Sequence, residues 1–443
     1  MSTTSRASRR GRSSGSEAVV GARVLIVGQG AREHAVAWKL RQSPDVDAIY
    51  VAPGNGGTSE VATNVPIGPR DIDGLVQVAA DLDIDFYLAT MDDPQPLGLV
   101  DRLKERGLPC YGPTADASQI EASKAWSKQF MVDHGITTAR HRTFRGYAAA
   151  VAHVHSLPDG PLVVKASGLA AGKGALVCDD RKGALAALDL IMVQREFGAS
   201  GDQVVVEECL QGWETSAHAI CDGETAVMTP SSTDYKRALT GGLGLNTGGM
   251  GAYSPSADVT PEMTAAIDRD VVQPTIAGMA AMGRPFNGTL YPGLMITEAG
   301  SYVLEYNARL GDPEAQILMM RLESDLFTVC SAAAAGNLAS VDIAWSDEPA
   351  VGVVVASGGY PESYTTGHLI EGLDDIDEDV QVFHAGTKET PEGVVTNGGR
   401  VLTVTARAPT LAAARAKAYD NARRITFEGA YMRSDIAQLE ETE

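Results

Sequence analysis

The chain has 443 residues, 44% of them apolar, and a formal net charge of −21 at pH 7. This length is too great for one hydrophobic core, so we expect about two to four domains. The acidic excess excludes nucleic-acid binding by the body of the protein, and the lack of an apolar run of about 18 residues excludes a membrane span. We therefore predict a cytoplasmic protein whose partners include neither a nucleic acid nor a membrane.

The charged residues include 26 Arg and only 10 Lys. An acidic chain so poor in Lys favours a halophilic protein, because concentrated ions screen the repulsion between its carboxylates. The five cysteines show no CxxC spacing, which indicates neither a disulfide framework nor a zinc site. Their scatter fits the reducing conditions of the cytosol.

Residues 1–20 differ from the acidic body, because four arginines stand there among serines with one acidic residue, Glu17. Such a segment is too polar to form a core, so we predict a disordered tail. An Arg- and Ser-rich start is also typical of an organellar transit peptide. Both interpretations stay open, and the acidic body favours a solvated tail.

The next segment has the pattern of a doubly wound α/β domain over residues 21–121. A buried-strand pattern leads into the turn Gly28-Gln-Gly30-Ala31-Arg32-Glu33-His34 and a helix, and further helices and strands alternate up to residue 112. The turn lacks the third glycine of a dinucleotide fingerprint, because Glu33 occupies that position. We predict either an anion at the helix N-terminus beside Arg32 or a purely structural turn.

Two short apolar runs, at 162–164 and 175–177, flank the glycine-rich segment 165–174. A Walker A loop is excluded, because Lys173 is followed by Gly174 and an apolar run instead of by Ser or Thr and a helix. The pattern predicts a strand-loop-strand lid whose backbone approaches phosphate. An ordinary glycine-rich turn is the alternative.

Two other segments place charged groups near this lid. The helical pattern at 115–134 leaves Lys124 and Lys128 open to ligands or solvent. The strand pattern at 204–206 ends in Glu207-Glu208. These carboxylates either accept hydrogen bonds from a ribose or a purine amine, or belong to a solvated turn.

A long segment from residue 234 to residue 253 contains six glycines between Gly241 and Gly251. We predict that it cannot pack as a regular element. A loop of this length inside a compact domain is either functional or disordered.

The strand patterns at 289–296 and 302–307 precede a third set of polar residues. By strand alternation, Glu305, Asn307 and Arg309 share one face. Two oxygen donors followed by a guanidinium suit Mg²⁺ and the phosphates that it bridges.

Beyond residue 345 the pattern predicts a small α+β domain. Its elements are strands at 351–356, 381–384 and 401–406 and a helix at 411–425. This part shows no catalytic constellation, and we interpret His368 and His384 as isolated structural residues.

Several segments occur in the same order in a known family. They are Gly28-Gln-Gly-Ala-Arg-Glu-His34, Tyr111-Gly-Pro-Thr114, Ser123-Lys124-Ala125, Lys165-Ala-Ser-Gly-Leu-Ala-Ala-Gly-Lys-Gly174, Asn246-Thr-Gly-Gly-Met-Gly-Ala-Tyr253, Leu290-Tyr-Pro-Gly-Leu-Met295, Glu305-Tyr-Asn-Ala-Arg-Leu-Gly-Asp-Pro-Glu314, Asn397-Gly-Gly-Arg400 and Arg433-Ser-Asp-Ile436. Through them the chain resembles the ATP-grasp ligases and, within these, the phosphoribosylamine–glycine ligase family. The resemblance extends from Val24 to Ile436.

The resemblance implies an α/β fold with three domains after the tail. They are an N-terminal doubly wound parallel sheet domain at 21–121, a two-part ATP-grasp domain at 122–345 with a mobile lid at about 143–213, and a small C-terminal α+β domain at 346–443. It also implies that ATP, Mg²⁺ or Mn²⁺, glycine and 5-phosphoribosylamine give glycinamide ribonucleotide, ADP and phosphate through glycyl phosphate, in de novo purine biosynthesis. We expect a monomer.

The resemblance further assigns roles to residues of this chain. ATP would be bound by Lys124, Lys165, Gly168, Gly172, Lys173, Gly174, Glu207, Glu208, Leu210 and Glu214, and the metal by Glu305 and Asn307. The two substrates would be bound by Gly30, Arg32, Asp92, Asp234, Lys236, Asn246, Thr247, Gly248, Gly249, Met250, Arg309, Gly311 and Asp312. The catalytic residues would be Arg309, Lys165 and Asp312.

The chain departs from the family pattern at three places. Thr90-Met91-Asp92-Asp93-Pro94 replaces Gly-Pro-Glu-Ala-Pro, Asp234-Tyr235-Lys236-Arg237 replaces Asp-His-Lys-Arg, and 240–245 replaces an acidic segment before Asn246. We expect Asp92 to take the place of the missing Glu. Two alternatives stay open, namely an ATP-grasp ligase for another amine and carboxylate and a paralogue that binds ATP without turnover.

Overall fold

The computed structural model describes residues 21–170 and 172–439, so the tail predicted at 1–20 lies outside the described residues. The first elements are β1 (Ala22–Gly28), α1 (Ala31–Leu40), β2 (Val46–Pro53), β3 (Thr63–Asn64), α2 (Ile72–Asp81), β4 (Phe86–Leu88), α3 (Leu99–Glu105) and β5 (Cys110–Tyr111). The strands form a parallel sheet in the order β3-β2-β1-β4-β5. This confirms the doubly wound sheet, whose central strand is apolar because helices cover both faces.

The helical stretch predicted at 115–134 is divided into two helices. They are α4 (Gln119–Ala122) and α5 (Lys124–Asp133). The break lies at Ser123, whose hydroxyl accepts the Trp126 N–H and caps α5. Lys128 on α5 is buried, so the prediction that it faces ligands or solvent is wrong. Its ammonium group is held inside by an ion pair with the buried Glu207.

An antiparallel sheet with two helices follows. Its elements are β6 (His141–Phe144), α6 (Tyr147–Ser156), β7 (Leu162–Ala166), β8 (Ala175–Cys178), α7 (Arg181–Leu188) and β9 (Val204–Glu208). The strands lie in the order β6-β9-β7-β8, so the glycine-rich segment joins the neighbouring strands β7 and β8. This confirms the predicted strand-loop-strand arrangement, and we call the unit the lid sheet.

A second antiparallel sheet lies opposite. The elements from 213 to 307 are β10 (Trp213–Ser216), β11 (Ala219–Asp222), β12 (Ala226–Met228), β13 (Thr233–Asp234), β14 (Arg237–Leu239), β15 (Leu243–Asn246), β16 (Gly251–Ser254), α8 (Pro261–Ile267), α9 (Gln273–Ala281), β17 (Asn287–Thr297) and β18 (Gly300–Asn307). Strand β17 pairs with β18 along one edge and with β10 and β11 along the other, and β12 pairs with β11. We call this unit the central sheet.

The segment 234–253, predicted to be irregular, is largely regular. β14 and β15 form a hairpin, while β13 and β16 join the C-terminal sheet. The prediction was wrong because the glycines serve the turns: Gly241 and Gly242 have positive φ in the hairpin connection.

The remaining elements form a strand-rich unit with its helices. They are α10 (Glu314–Arg321), α11 (Leu326–Ala334), β19 (Ala350–Ser357), β20 (Val380–His384), β21 (Thr387–Thr390), β22 (Gly393–Thr396), β23 (Arg400–Arg407), α12 (Leu411–Ala422) and β24 (Ala430–Tyr431). Their sheet has the order β13-β16-β19-β23-β20, with β24 paired to β19. Helix α10 contacts both α1 and β19 and so ties the N-terminal and C-terminal sheets together.

His384 on β20 is not isolated, as the sequence suggested, because it meets His34 on α1. The His384 backbone N–H donates to His34 Nδ1 over 3.0 Å, and the ring centroids are 5.6 Å apart. Burial, followed by the charge of His384, lowers the pKa of His34 to about 3, and burial lowers the pKa of His384 to about 4.

We expect acid to destabilise the protein through this pair. Both histidines bind protons more strongly in the unfolded chain, where the ordinary pKa is 6.5. The free energy of unfolding should therefore fall as the pH drops below 6.5 towards 4, by about 2 kcal/mol for each histidine at pH 5.

Denaturant unfolding of the wild type and of His384→Gln at pH 7 and pH 5 measures this effect. The variant should lose about half of the contribution of the pair, whereas replacement of the exposed His155 by Gln should leave the pH dependence unchanged. A pH dependence in His384→Gln equal to that of the wild type would contradict the assignment.

Candidate active site

A cleft of about 440 Å³ lies between the lid sheet and the central sheet. The lid contributes Lys165 from β7 and Glu207 from β9, and the central sheet contributes Glu305 and Asn307 from β18. The N-terminal domain reaches the same cleft through Arg32, and further residues come from the C-terminal sheet. One continuous cavity therefore collects polar groups from every major unit of the fold.

Most residues predicted to bind ATP line this cleft. They are Lys124, Lys165, Gly172, Glu207, Glu208, Leu210 and Glu214. Three others in the glycine-rich segment do not line it: Gly168 donates its N–H to Ser200 O over 3.0 Å, Gly174 accepts from Ala166, and Lys173 is exposed. The lid thus presents only part of that segment to the cavity.

Glu207 is shared between two lysines. Its Oε2 lies 3.0 Å from Lys165 Nζ and its Oε1 lies 3.1 Å from Lys128 Nζ. Although burial raises the pKa of Glu207, the ammonium groups of Lys165 and Lys128 hold it below its ordinary value. Burial, followed by the charge of Lys165, lowers the pKa of Lys128 to about 8. The Glu207 carboxylate is therefore ionised at neutral pH and already paired.

Glu305 and Asn307 present oxygen atoms on one face of β18. Burial raises the pKa of Glu305, but the ammonium groups of Lys124, Lys165 and Lys236 outweigh it and lower that pKa to about 2. The Glu305 carboxylate is 3.7 Å from Lys124, and Asn307 Oδ1 accepts from Arg309 Nη2 over 3.0 Å. A permanently ionised carboxylate beside an amide oxygen fits a divalent cation.

The residues predicted to bind the two substrates mostly line the same cleft. Those that line it are Arg32, Asp92, Asp234, Lys236, Asn246, Thr247, Gly248, Arg309 and Asp312. Asp312 Oδ2 is 3.1 Å from Arg400 Nη2, and Arg400 Nη1 also donates to the Gly248 carbonyl over 2.7 Å. Arg400 therefore ties the 246–250 segment to Asp312.

One carboxyl group of the cleft, that of Asp234, has a strongly perturbed pKa. Burial, followed by the negative charge of Glu314, raises the pKa of Asp234 well above its ordinary value. Glu314 Oε1 accepts the Tyr291 hydroxyl over 2.6 Å. Lys236 Nζ lies 3.3 Å from Glu214, and the Glu214 and Asp234 carboxylates raise the pKa of Lys236 against the effect of burial.

Four predicted substrate residues do not line the cavity. Met250 is buried against Val354 of the C-terminal sheet, and Gly249 packs against Pro313 and Asp234. The Gly311 N–H donates to His218 Nε2 over 3.2 Å. The Gly30 N–H donates to Glu33 over 2.7 Å, which favours the structural interpretation of that turn.

Three charged residues of the cleft were missed from the sequence. Glu314 and Arg400 end segments that resemble the family, but no role was assigned to them. No motif in the sequence indicated a role for Glu121. In the structure its Oε2 accepts the Ala308 N–H over 2.8 Å, and its Oε1 lies 3.4 Å from Arg309 Nε. Burial raises the pKa of Glu121 to about 7, against the opposing charge of Arg309.

Two antiparallel sheets that enclose a lysine-lined cleft define an ATP-grasp protein. Models of the phosphoribosylglycinamide synthetase family match its N domain at 22–121, its ATP-grasp (A) domain at 122–315 and its C domain at 350–439. The chain therefore belongs to the phosphoribosylglycinamide synthetase family. This confirms the resemblance found in the sequence.

Known relatives agree with this assignment. Proteins named phosphoribosylamine–glycine ligase are 48% identical in Allochromatium vinosum and 46% identical in Rhodopirellula baltica, and each match covers 94% of this chain and 97% of the relative. The crystal structure of phosphoribosylamine–glycine ligase from Thermotoga maritima has a TM-score of 0.82 at 32% identity, covering 94% of this chain and 100% of that one. A biotin carboxylase from Campylobacter jejuni shares the fold alone, with a TM-score of 0.72 at 13% identity over 93% of this chain and 92% of that one.

Within the described residues, no helix has the length and apolar character needed to cross a bilayer.

Proposed function

We propose that the protein is an ATP-dependent ligase of purine biosynthesis that joins glycine to 5-phosphoribosylamine and releases glycinamide ribonucleotide, ADP and phosphate. The observation that carries this proposal is the cleft, which Lys124, Lys165 and Glu305 line together with Arg309 and Asp312. The relatives named phosphoribosylamine–glycine ligase support the choice of substrates, since they match nearly the whole chain.

ATP occupies the lid end of the cleft in this proposal. Lys124 and Lys165 contact its phosphates, and the segment 168–174 covers them. Glu207, Glu208, Leu210 and Glu214 surround the adenine and the ribose. The buried position of the Lys165 ammonium supports its role, because a charged hydrogen bond to phosphate is stronger away from bulk water.

Glu305 and Asn307 hold Mg²⁺ or Mn²⁺ in this proposal. In the described part of the chain, no group of three His, Cys, Asp or Glu residues is placed to bind a metal without other ligands. When bound, the cation supplies positive charge that stabilises the phosphoryl group during transfer.

The amine and the carboxylate substrates occupy the other end. Arg309 binds the transferred phosphoryl group, and its guanidinium is oriented by Asn307 and Glu121. Asp312 and the 246–250 segment line the site of glycine and ribosylamine. Arg32 and Asp92 of the N-terminal domain complete the lining of this site. Asp92 takes the place of the Glu in the family pattern.

The chemistry proceeds in two steps. A glycine carboxylate oxygen attacks the γ-phosphorus of ATP, which forms glycyl phosphate and releases ADP. The amine of phosphoribosylamine then attacks the glycyl carbonyl carbon and a C–N bond forms. Phosphate leaves with that oxygen and takes up the proton that the amine loses. The protein contributes orientation, positive charge and exclusion of water by the lid.

Glycine labelled with heavy oxygen in both carboxylate positions tests this function. Phosphate should leave with one labelled oxygen, and the amide of glycinamide ribonucleotide should keep the other. Unlabelled phosphate would contradict the glycyl phosphate step. Failure to form any glycinamide ribonucleotide would favour a ligase for another pair of substrates, or a protein that binds ATP without turnover.

We also infer that the enzyme works as a cytoplasmic monomer in a cell of high internal salt. The net charge of −21 supports high salt, because self-repulsion of this size is screened best by concentrated ions.

A further inference from the structure

Lys128 is a buried cation that the proposed chemistry does not use. Its side chain is only 2% exposed, although it stands on a helix beside the cleft. Its ammonium group contacts the Thr138 hydroxyl over 2.6 Å and Glu207 Oε1 over 3.1 Å. A buried lysine is costly unless its charge is paired, so its retention here requires an explanation.

The pairing of Lys128 involves the Lys165 site through one shared carboxylate. Glu207 uses one oxygen for Lys128 and the other for Lys165, and its own side chain is 2% exposed. The group therefore contains two positive charges and one negative charge. Its net charge of about +1 lies at the cleft, because Lys165 lines the cavity.

Removing Lys128 would change the charge that a ligand meets. Glu207 would then have Lys165 as its sole buried ion-pair partner, and the pair would be neutral. The Lys165 ammonium would be held by both carboxylate oxygens instead of one. A phosphate would have to compete with a full carboxylate for that ammonium group.

We propose that Lys128 is a positioning residue for nucleotide binding, which pairs with Glu207 and thereby leaves the Lys165 ammonium available to the phosphates of ATP. This inference rests on the proposed function, because it requires ATP in the cleft. A purely structural role is the competing explanation. It predicts that loss of Lys128 lowers stability without changing the ATP affinity of the folded protein.

The test is a double-mutant cycle on the full chain. The variants are Lys128→Met, Glu207→Gln and the two combined, because methionine keeps the apolar length of lysine and glutamine keeps an oxygen acceptor for the nucleotide. Lys182→Met is the control, since it removes one positive charge from an exposed position on α7. Calorimetric titration with MgATP, without glycine or ribosylamine, gives each dissociation constant, and thermal unfolding shows that each variant is folded.

We expect Lys128→Met to bind ATP about tenfold to a hundredfold more weakly than the wild type, while Lys182→Met stays within twofold. The KM for glycine should not change. In the Glu207→Gln background, loss of Lys128 should change ATP affinity less than about twofold, because no carboxylate remains to neutralise Lys165. Where Lys128→Met alone fails to fold, this second comparison still tests the inference, because a larger loss of affinity there could not pass through Glu207.

Equal ATP affinity in folded Lys128→Met and the wild type would overturn the inference. A tenfold loss on removing Lys128 from Glu207→Gln would also overturn it, since the effect would then not pass through Glu207. Failure of the wild type to bind ATP would instead overturn the proposed function, and this inference with it.

Discussion

Replacement of Glu305 by glutamine should remove nearly all ligase activity while the protein remains folded. The carboxylate is surrounded by Lys124, Lys165 and Lys236, which keep the pKa of Glu305 at about 2 against the effect of burial. A neutral amide of the same shape coordinates a divalent cation poorly and leaves the ammonium groups uncompensated. We expect kcat to fall on the order of a hundredfold or more, the size of effect seen when a group that stabilises transition-state charge is lost.

The matched control is Glu298→Gln, in the exposed turn between β17 and β18. It removes the same charge from the same hairpin, outside the cleft, and should leave kcat unchanged. Thermal unfolding establishes that both variants are folded, and a titration with Mn²⁺ in the presence of ATP reports metal binding. Activity of Glu305→Gln close to that of the wild type would show that the metal is held elsewhere.

The sequence predicts the two sheets of the cleft because their patterns are local. The hairpin over 165–174 follows from two apolar runs around glycines, and the shared face of Glu305 and Asn307 follows from strand alternation. Each of these features depends on a few adjacent residues. The structure places them together across the cleft as expected.

Lys128 could not be predicted, because its environment comes from distant segments. A lysine four residues after Lys124 on a helix has the pattern of a surface position. Its partner Glu207 belongs to a different strand, far along the sequence. Glu121 was missed for the same reason, since its contact with Arg309 spans two domains of the family.

The 237–246 hairpin was missed because the contacts that stabilise it come from residues near the end of the described chain. Arg433 donates to the Arg237 carbonyl over 2.8 Å and lies 5.0 Å from the Tyr235 ring, and Asp435 accepts the Gly241 N–H over 2.8 Å. Tyr235, which departs from the family pattern, thus takes part in a contact with the C-terminal segment. In the sequence, Tyr235 looks like a change in the substrate site. The structure shows that it also changes how the hairpin packs against the C-terminal segment.

Gly249 connects this hairpin to the substrate end of the cleft, and its conformation leaves no room for a side chain. It has φ of +113°. A Cβ atom would lie 2.5 Å from Asp234 Oδ1 and would also clash with the Pro313 ring. The Gly249 carbonyl faces Arg400, which also binds Asp312. A shift of Gly249 would therefore displace Asp234, Arg400 and Asp312 of the proposed substrate site together.

Gly249→Ala should consequently lower kcat/KM for glycine and ribosylamine on the order of a hundredfold, because small displacements of positioning groups have effects of that size. It should also lower the free energy of unfolding by about 2 kcal/mol or more, through the left-handed backbone and the two clashes. Gly241→Ala is the matched control: its φ is +75°, no heavy atom lies within 4 Å of the added Cβ, and only the backbone cost of about 1 kcal/mol applies. Steady-state kinetics and denaturant unfolding of both variants separate the clash from the backbone cost. Equal losses in the two variants would show that Asp234 and Pro313 yield to the new methyl group and that the geometry around Gly249 does not control the site.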